Sequence, residues 1–256
     1  MHQARKRFGQ HFLHDQNVIE SMLRLIDPRP GENLLEIGPG QGALTYPLLQ
    51  RCEKLIAIEL DRDLVPVLTR QAAKYGALEI INADILDFEL SSIPGNKTFR
   101  VVGNLPYNIS TPLMFHLLES AQQIQDMHFM VQKEVALRIV ANPGETNYGR
   151  LSVMLQYRCD CQYLLDVPPG CFRPPPKVDS AVIRLTPLSN PEYDVGDFSR
   201  FSSIVQAAFS QRRKTISNSL KSVVDREIIL ACEIDPGSRA ENLSVADFAK
   251  LSRAFN

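Results

Sequence analysis

The heptapeptide Val101-Val102-Gly103-Asn104-Leu105-Pro106-Tyr107 has the residue types of a small reader of planar amines. Val101 and Val102 read as the end of a buried strand, and Asn104 stands where that strand would emerge from a sheet. An Asn side-chain oxygen accepts a hydrogen bond from an amino group. The Leu105 carbonyl belongs to a Leu-Pro pair, which favours an extended residue and a stiff turn. Tyr107 adds a flat face on which another ring can stack. An exocyclic amine on a nucleobase has two N–H donors and an attached ring, so it matches all three parts. Taken alone, the same residues also suit an ordinary strand-end turn, because short motifs recur by chance.

A second constellation precedes it. Glu36-x-Gly38-x-Gly40-x-Gly42 lies between a short apolar strand and a helical pattern. Glycines there let a ligand approach the backbone and leave N–H groups free at a helix start. Glu59 closes the next strand, about 20 residues on, where a carboxylate can grip ribose hydroxyls. Asp84 closes the third strand, where it can accept an adenine amino proton. The carboxyl ends of strands in such a sheet line one crevice. Gly38, Glu59, Asp84 and Asn104 are therefore expected in a row. A dinucleotide dehydrogenase also carries a glycine-rich turn and a later acid, but it has no use for an amine-and-ring reader on the fourth strand.

The elements that must hold these residues alternate. Strands are expected over 33–37, 55–58, 78–81, 99–102 and 127–131, and helices over 17–26, 43–50, 61–75, 112–120 and 133–140. Such alternation implies a parallel sheet covered on both faces. Pro112 is expected at a first helical position, where its missing N–H costs nothing. Segment 149–157 fits helix and strand equally. Strands follow over 164–167 and 181–185, and the proline-rich run between them, 168–177, is expected to hold no regular structure. Residues 186–191 read as a linker. Beyond it, Phe198, Phe201, Ile204, Val205, Ala208 and Phe209 fall on one helical face. Ile228, Ile229 and Leu230 suggest another helix, and Ser244 with Asp247 resembles a capping box ahead of Phe248, Leu251 and Phe255. The expected organisation is an α/β domain over 1–187 and a small all-helical domain over 188–256.

Composition narrows the classes. The 256 residues are 44% hydrophobic and 22% charged with a net charge of −1, which is ordinary for a soluble globular chain. A uniformly basic nucleic-acid coat is excluded, so any such surface must be a local patch. Candidates are Arg5-Lys6-Arg7 and Arg212-Arg213-Lys214 with Lys221, the second reading as part of a helix unrelieved by acid. Lys133, Arg138, Arg173 and Lys177 are candidates to flank the crevice. The five Cys, at 52, 159, 161, 171 and 232, lack zinc spacing, so no metal is expected and reduced thiols are the default. The N-terminal basic cluster runs into Phe8-Gly9-Gln10-His11, which is no secretory signal, and no apolar stretch reaches membrane-spanning length. Part of the first fifteen residues is expected to dock, since Phe8, Phe12 and Leu13 favour burial.

Several motifs together give a resemblance. Gly9-Gln10-His11-Phe12-Leu13, Glu36-Ile37-Gly38-Pro39-Gly40, Gly103-Asn104-Leu105-Pro106-Tyr107-Asn108-Ile109-Ser110, Pro174-Pro175-Pro176-Lys177-Val178-Asp179-Ser180 and Gln211-Arg212-Arg213-Lys214-Thr215 match one pattern. Along nearly its whole length the sequence resembles the ribosomal RNA adenine N6-dimethylase family of class I S-adenosylmethionine-dependent methyltransferases, most closely the bacterial small-subunit type. The resemblance implies a Rossmann-like methyltransferase sheet with a small helical C-terminal domain that binds RNA. It implies twofold N6-methylation of two adjacent adenosines in the hairpin loop near the 3′ end of 16S rRNA, within the 30S particle. It also implies that His11, Leu13, Gly38, Glu59, Asp84 and Asn104 hold the cofactor or line its pocket; His11 stands where some members have Asn. Asn104, Leu105 and Tyr107 would handle the amine, with Phe172 as a second stacking face and Arg212, Arg213 and Lys214 on phosphates. No metal is needed, and a cytoplasmic monomer with no membrane partner is expected. The rivals are a large-subunit RNA dimethylase, a DNA adenine methyltransferase, which more often has Asp at the Asn104 position, and a non-enzymatic 30S assembly factor.

Overall fold

The computed structural model describes residues 11–95 and 98–254. The expectations for Arg5-Lys6-Arg7, Phe8, Gly9-Gln10 and Phe255 fall outside the described residues.

The chain opens with β1 (Phe12–Leu13) and α1 (Gln16–Ile26), followed by β2 (Leu34–Ile37), α2 (Thr45–Cys52), β3 (Lys54–Ile58), α3 (Val65–Ala72), β4 (Ala77–Ile81) and β5 (Phe99–Asn104). Then come α4 (Ser110–Glu119), β6 (Ile124–Gln132), α5 (Lys133–Val140), α6 (Arg150–Gln156), β7 (Cys159–Val167), β8 (Phe172–Arg173) and β9 (Ser180–Pro187). The last four helices are α7 (Phe198–Phe209), α8 (Ile216–Leu220), α9 (Arg226–Ala231) and α10 (Val245–Arg253). Among the described residues no helix is long and apolar enough to cross a membrane.

Seven strands form one sheet in the order β4-β3-β2-β5-β6-β9-β7. From β4 across to β6 the neighbours pair in parallel, and β9 runs antiparallel to β6. The five alternating strands thus pair in parallel as expected, and β9, beyond the alternation, runs the other way. No α-helix separates β7 from β9, so no crossover returns β9 in the common direction. Outward from β2 the order runs to β3 and β4 on one side and to β5 and β6 on the other. The chain thus reverses its march across the sheet between β2 and β5, where the flanking connections part and leave a crevice. All four residues of β2 are buried, as a strand covered on both faces requires.

The apolar face of α1 supplies Ile19, Met22, Leu23 and Ile26 to a core shared with Leu34, Leu48, Leu49, Leu55, Val102, Met130 and Val182. Asp15 starts that helix, its Oδ1 accepting from Asn17 N and Val18 N at 2.9 and 3.0 Å, a cap worth about 1 kcal/mol. Its C-terminus meets the buried Arg100 of β5, which donates to Ile26 O at 2.5 Å and pairs with Glu32 and Asp126. A cation there suits the helix dipole and ties α1 to the sheet.

Three local expectations need correction. The proline-rich run does hold a strand, because Phe172 and Arg173 lie ahead of Pro174 and keep their N–H groups; β8 pairs antiparallel with β1, Phe12 opposite Arg173 and Leu13 opposite Phe172. Pro112 is the third residue of α4, still among the first-turn positions whose N–H has no intrahelical partner. The helix expected from residue 61 starts at Val65, because Asp61 to Leu64 form a turn that serves Glu59, as described below.

The described residues of Met1–Ala136 with Gln162–Pro187 form one compact unit, and Leu137–Cys161 with the described residues of Leu188–Asn256 form a second. Segment 137–161, expected with the α/β part, packs with the C-terminal helices. Its Tyr148 hydroxyl donates to Leu243 O at 2.9 Å, and its Tyr157 ring lies 4.8 Å from that of Phe201. Residues 150–156 are helical, which resolves the ambiguity there. Asp197 caps α7, whose Phe201, Ile204, Val205 and Ala208 are buried at 3- and 4-residue steps. The capping box at α10 forms: Asp247 N donates to Ser244 Oγ at 3.2 Å and Ser244 N to Asp247 Oδ2 at 2.9 Å.

Candidate active site

The crevice at the β2/β5 reversal is a cleft of about 1190 Å³, its open mouth included. It lies within the first unit. Gly38, Glu59, Asp84 and Asn104 all line it, together with His11, Leu13, Leu105 and Tyr107.

The glycine turn after β2 is shaped by its neighbours. Gly42 has φ +86°, and a Cβ there would lie 2.3 Å from Tyr46 Cζ, so any other residue is strained and must displace the Tyr46 ring. The ring of Phe12, from β1, reaches over Gly40, 3.2 Å from where a Cβ would stand. Gly40 N donates to Glu59 Oε2 at 3.1 Å, and Asp61 N donates to Glu59 Oε1 at 2.8 Å. Asn82 Nδ2 adds a bond to the Glu59 carbonyl at 2.6 Å. Glu59 is thus fixed on both carboxylate oxygens and at its backbone. Burial raises its pKa, against those backbone N–H bonds. Asp84 caps the short turn after β4, its Oδ1 accepting from Leu86 N at 3.0 Å. Glu36, inside β2, is 2% exposed, and burial pushes its pKa up to about 8 although Thr45 Oγ1 donates to its Oε2 at 2.7 Å.

Four carboxyl residues, Glu36, Glu59, Asp61 and Asp84, line the cleft, and among the described residues no Lys or Arg does. Such a lining repels a pyrophosphate and suits a cation bearing hydroxyls and an amine. The donor set therefore fits S-adenosylmethionine, which joins a sulfonium and an ammonium to a nucleoside. Among the described residues no His, Cys, Asp or Glu cluster could hold a metal ion.

On the β5 side, Gly103 lets the strand run close to β2; a Cβ there would stand 2.7 Å from Ile37 O. Asn104 follows, and its Nδ2 donates to His11 O at 3.0 Å. That bond sets the polarity of the amide and leaves Oδ1 as the outward acceptor. Leu105 N donates to Met130 O at 3.1 Å, which anchors the turn to β6. No described residue donates to Asn104 Oδ1 or to Leu105 O. Tyr107 projects from the turn ahead of α4, with its hydroxyl 2.7 Å from Ser180 Oγ. The His11 ring lies alongside, centroids 5.7 Å apart and planes at 26°, while His11 Nδ1 donates to Pro174 O at 2.8 Å.

The remaining site residues fall elsewhere. Phe172, expected as a second stacking face, is 2% exposed in the core with Leu13, Met22 and Val182 and does not line the cleft. Pairing in β8 turns its ring into that core, opposite Leu13. Lys133 is tied to Asp166 at 2.6 Å, and neither it nor Arg138, Arg173 or Lys177 lines the cleft. Arg212, Arg213 and Lys214 belong to the second unit and form the turn between α7 and α8, not a helix. Nor is the cluster unrelieved by acid, since Arg212 Nε pairs with Glu241 at 3.3 Å and its Nη2 donates to Thr146 O. Arg213 and Lys214 are exposed. Sequence reading missed Phe12, Thr45, Asn82 and Ser180. Thr45 acts nine residues back, the others 23 to 73 residues away, and no spacing rule announces such contacts.

The whole chain, residues 1–256, matches the family described as ribosomal RNA adenine dimethylase. It is 51% identical over 249 residues to a ribosomal RNA small subunit methyltransferase A of Xanthomonas oryzae pv. oryzae, covering 97% of this chain and 95% of that one. To the protein of the same description in Saccharophagus degradans it is 50% identical over 255 residues, 99% of this chain and 95% of that one. Among solved structures, a dimethyladenosine transferase from Plasmodium falciparum superposes with a TM-score of 0.81 at 25% identity, over 94% of this chain and 96% of that one. The 23S rRNA methyltransferase ErmE does so with a TM-score of 0.75 at 27% identity, over 95% and 98%. With its acidic cleft, outward amide oxygen and this match across the full length, the chain belongs to the ribosomal RNA adenine dimethylase family of S-adenosylmethionine-dependent methyltransferases.

Proposed function

We propose that this protein dimethylates N6 of two adjacent adenosines in the hairpin loop near the 3′ end of 16S rRNA, within the 30S subunit or its precursor. In this reading it works as a cytoplasmic monomer with a part in small-subunit biogenesis. The observation that carries it is the Asn104 amide, polarised by His11 O so that its oxygen, like the Leu105 carbonyl, meets no donor among the described residues.

S-adenosylmethionine, when bound, supplies an electrophilic methyl group on a cationic sulfur. Glu59 would hold its ribose and Asp84 its adenine, with Gly38, His11 and Leu13 around it. An adenine N6 is a poor nucleophile because its lone pair is delocalised into the ring. Asn104 Oδ1 and Leu105 O can accept its two N–H groups, which favours a pyramidal nitrogen with an available lone pair. Tyr107 receives the unstacked base on its ring face. Held this way, the amine lone pair would form the N–C bond as the C–S bond breaks, with the C–S electron pair left on a neutral thioether sulfur and the surplus N6 proton passing to water. Positioning of the amine supplies most of the acceleration. Arg213 and Lys214 offer charge for phosphates, which gives affinity and salt dependence.

The test is methyl transfer from labelled cofactor to unmethylated 30S and 50S particles offered together, with the 16S and 23S RNA separated afterwards. The unaltered protein should label 16S and not 23S RNA. Asn104→Ala should still bind particles and lose about a hundredfold in transfer, the scale of a misplaced reactant. Full transfer by that variant would remove Asn104 from the mechanism. Label in 23S RNA would favour the large-subunit reading, and particle binding without any transfer would favour an assembly factor.

A further inference from the structure

We infer that Ser180 is a positioning residue for the ring of Tyr107, and that through this ring it governs the second methyl transfer more than the first. This inference rests on the proposed dimethylation of an adenine amine.

Ser180 is the first residue of β9 and is fully buried. Its backbone is fixed by pairing with β6, opposite Gln132. From there its Oγ meets the Tyr107 hydroxyl at 2.7 Å across 73 residues of sequence. Tyr107 itself sits in a turn. Its carbonyl accepts from Ser110 Oγ at 3.2 Å, which steadies the backbone but not the ring. The ring is held at its far end by Ser180 and flanked by the pinned His11 ring. Burial raises the phenol pKa, against the Ser180 bond, so the hydroxyl stays neutral. With its hydroxyl engaged by the protein wall, Tyr107 can meet the base only through its ring face.

Counting hydrogen bonds then separates the two transfers. An unmethylated amine offers two N–H groups to two acceptors, Asn104 Oδ1 and Leu105 O. After one methylation a single N–H remains. The base in the second transfer is therefore held by one hydrogen bond fewer and depends more on a ring that does not tilt. Loosening the ring penalises the second step first.

The experiment compares Ser180→Ala, Tyr107→Phe and the double variant on unmethylated 30S particles, scoring monomethyl- and dimethyladenosine separately. Either single change should lower the rate of dimethyl product by about two- to tenfold, the worth of one neutral hydrogen bond. The monomethyl share should rise several-fold, with cofactor affinity unchanged. Because both changes remove the same bond, the double variant should resemble each single one. An unaltered protein that makes no dimethyladenosine overturns the proposed function itself. With that protein active, a Ser180→Ala product mixture equal to wild type overturns the positioning role, as do effects that multiply in the double variant. A rate loss matched by an equal loss of cofactor affinity also overturns it, because Ser180 would then support the scaffold only. Should Ser180→Ala fail to fold, Tyr107→Phe removes the bond from its other end, and an unchanged monomethyl share there is the refuting result.

Discussion

Glu36 makes the cofactor-free protein sensitive to pH in a direction opposite to acid denaturation. Its carboxyl is 2% exposed, and burial, with Glu59 nearby, pushes its pKa from the ordinary 4.5 up to about 8 against the bond from Thr45. Above pH 4.5 the unfolded chain has released this proton while the folded one still holds it. The folded state binds more protons in that window, so the contribution of this group to stability falls as pH rises and is gone once the pH passes about 8. At about 1.4 kcal/mol per pH unit, the loss is about 3 kcal/mol by pH 7 and about 4 kcal/mol by pH 8. Glu36→Gln keeps the shape and an acceptor for Thr45 but has no proton to lose. Urea unfolding without cofactor, from pH 5 to 8.5, should show a falling wild-type curve and a flatter variant. The variant should be about 3 kcal/mol more stable at pH 7. A variant that follows the wild-type slope, or is the less stable of the two at pH 8, would refute the reasoning. Binding a cation beside Glu36 favours its carboxylate, so loading the cofactor near pH 7 should release close to one proton, and Glu36→Gln should abolish that release. Calorimetry in buffers of different ionisation enthalpy reads it directly.

Two further outcomes follow from the geometry. Gly42→Ala forces a left-handed residue and puts a Cβ into the Tyr46 ring, which should cost about 2–3 kcal/mol in urea unfolding; adding Tyr46→Ala should recover the steric part and leave the backbone part. Arg213→Ala and Lys214→Ala should each reduce the salt slope of 30S binding by about one, while Arg212→Ala, already paired with Glu241, should reduce it less; equal slopes for all four proteins would remove the turn from the RNA surface.

Most of the sheet was legible because its strands are short apolar runs, several with a polar residue at or just past the end. Lys54 to Ile58, followed by Glu59, and Phe99 to Asn104 announce themselves this way, and a parallel sheet gathers such ends at one edge. Legibility failed where an element answers to a distant partner. β8 is two residues long and exists because β1 pairs with it. Tyr148 and Tyr157 look like ordinary aromatics until the C-terminal helices supply their partners. Arg212 looked free in sequence because Glu241 lies 29 residues away. Local periodicity carries the pitch of an element; it does not carry the address of its neighbour.

The Asn104 amide shows what this means for chemistry. Its oxygen and nitrogen are nearly the same size, so the turn alone cannot decide which one faces the cleft. With the nitrogen outward, a donor would meet the donors of an adenine amine, and the two would repel. The decision is made by His11 O, which takes the Nδ2 bond across 93 residues of sequence. β1 in turn is held by β8, and Phe12 lies over Gly40 of the cofactor-side turn. One short strap thus touches the glycine turn, the amide and the stacking ring. In the proposed mechanism the short Asn-Leu-Pro-Tyr stretch would read amines only when that strap is seated. The deciding group on the strap is a backbone carbonyl. The side chain at position 11 can therefore differ among relatives without reversing the amide, provided the strap keeps its place.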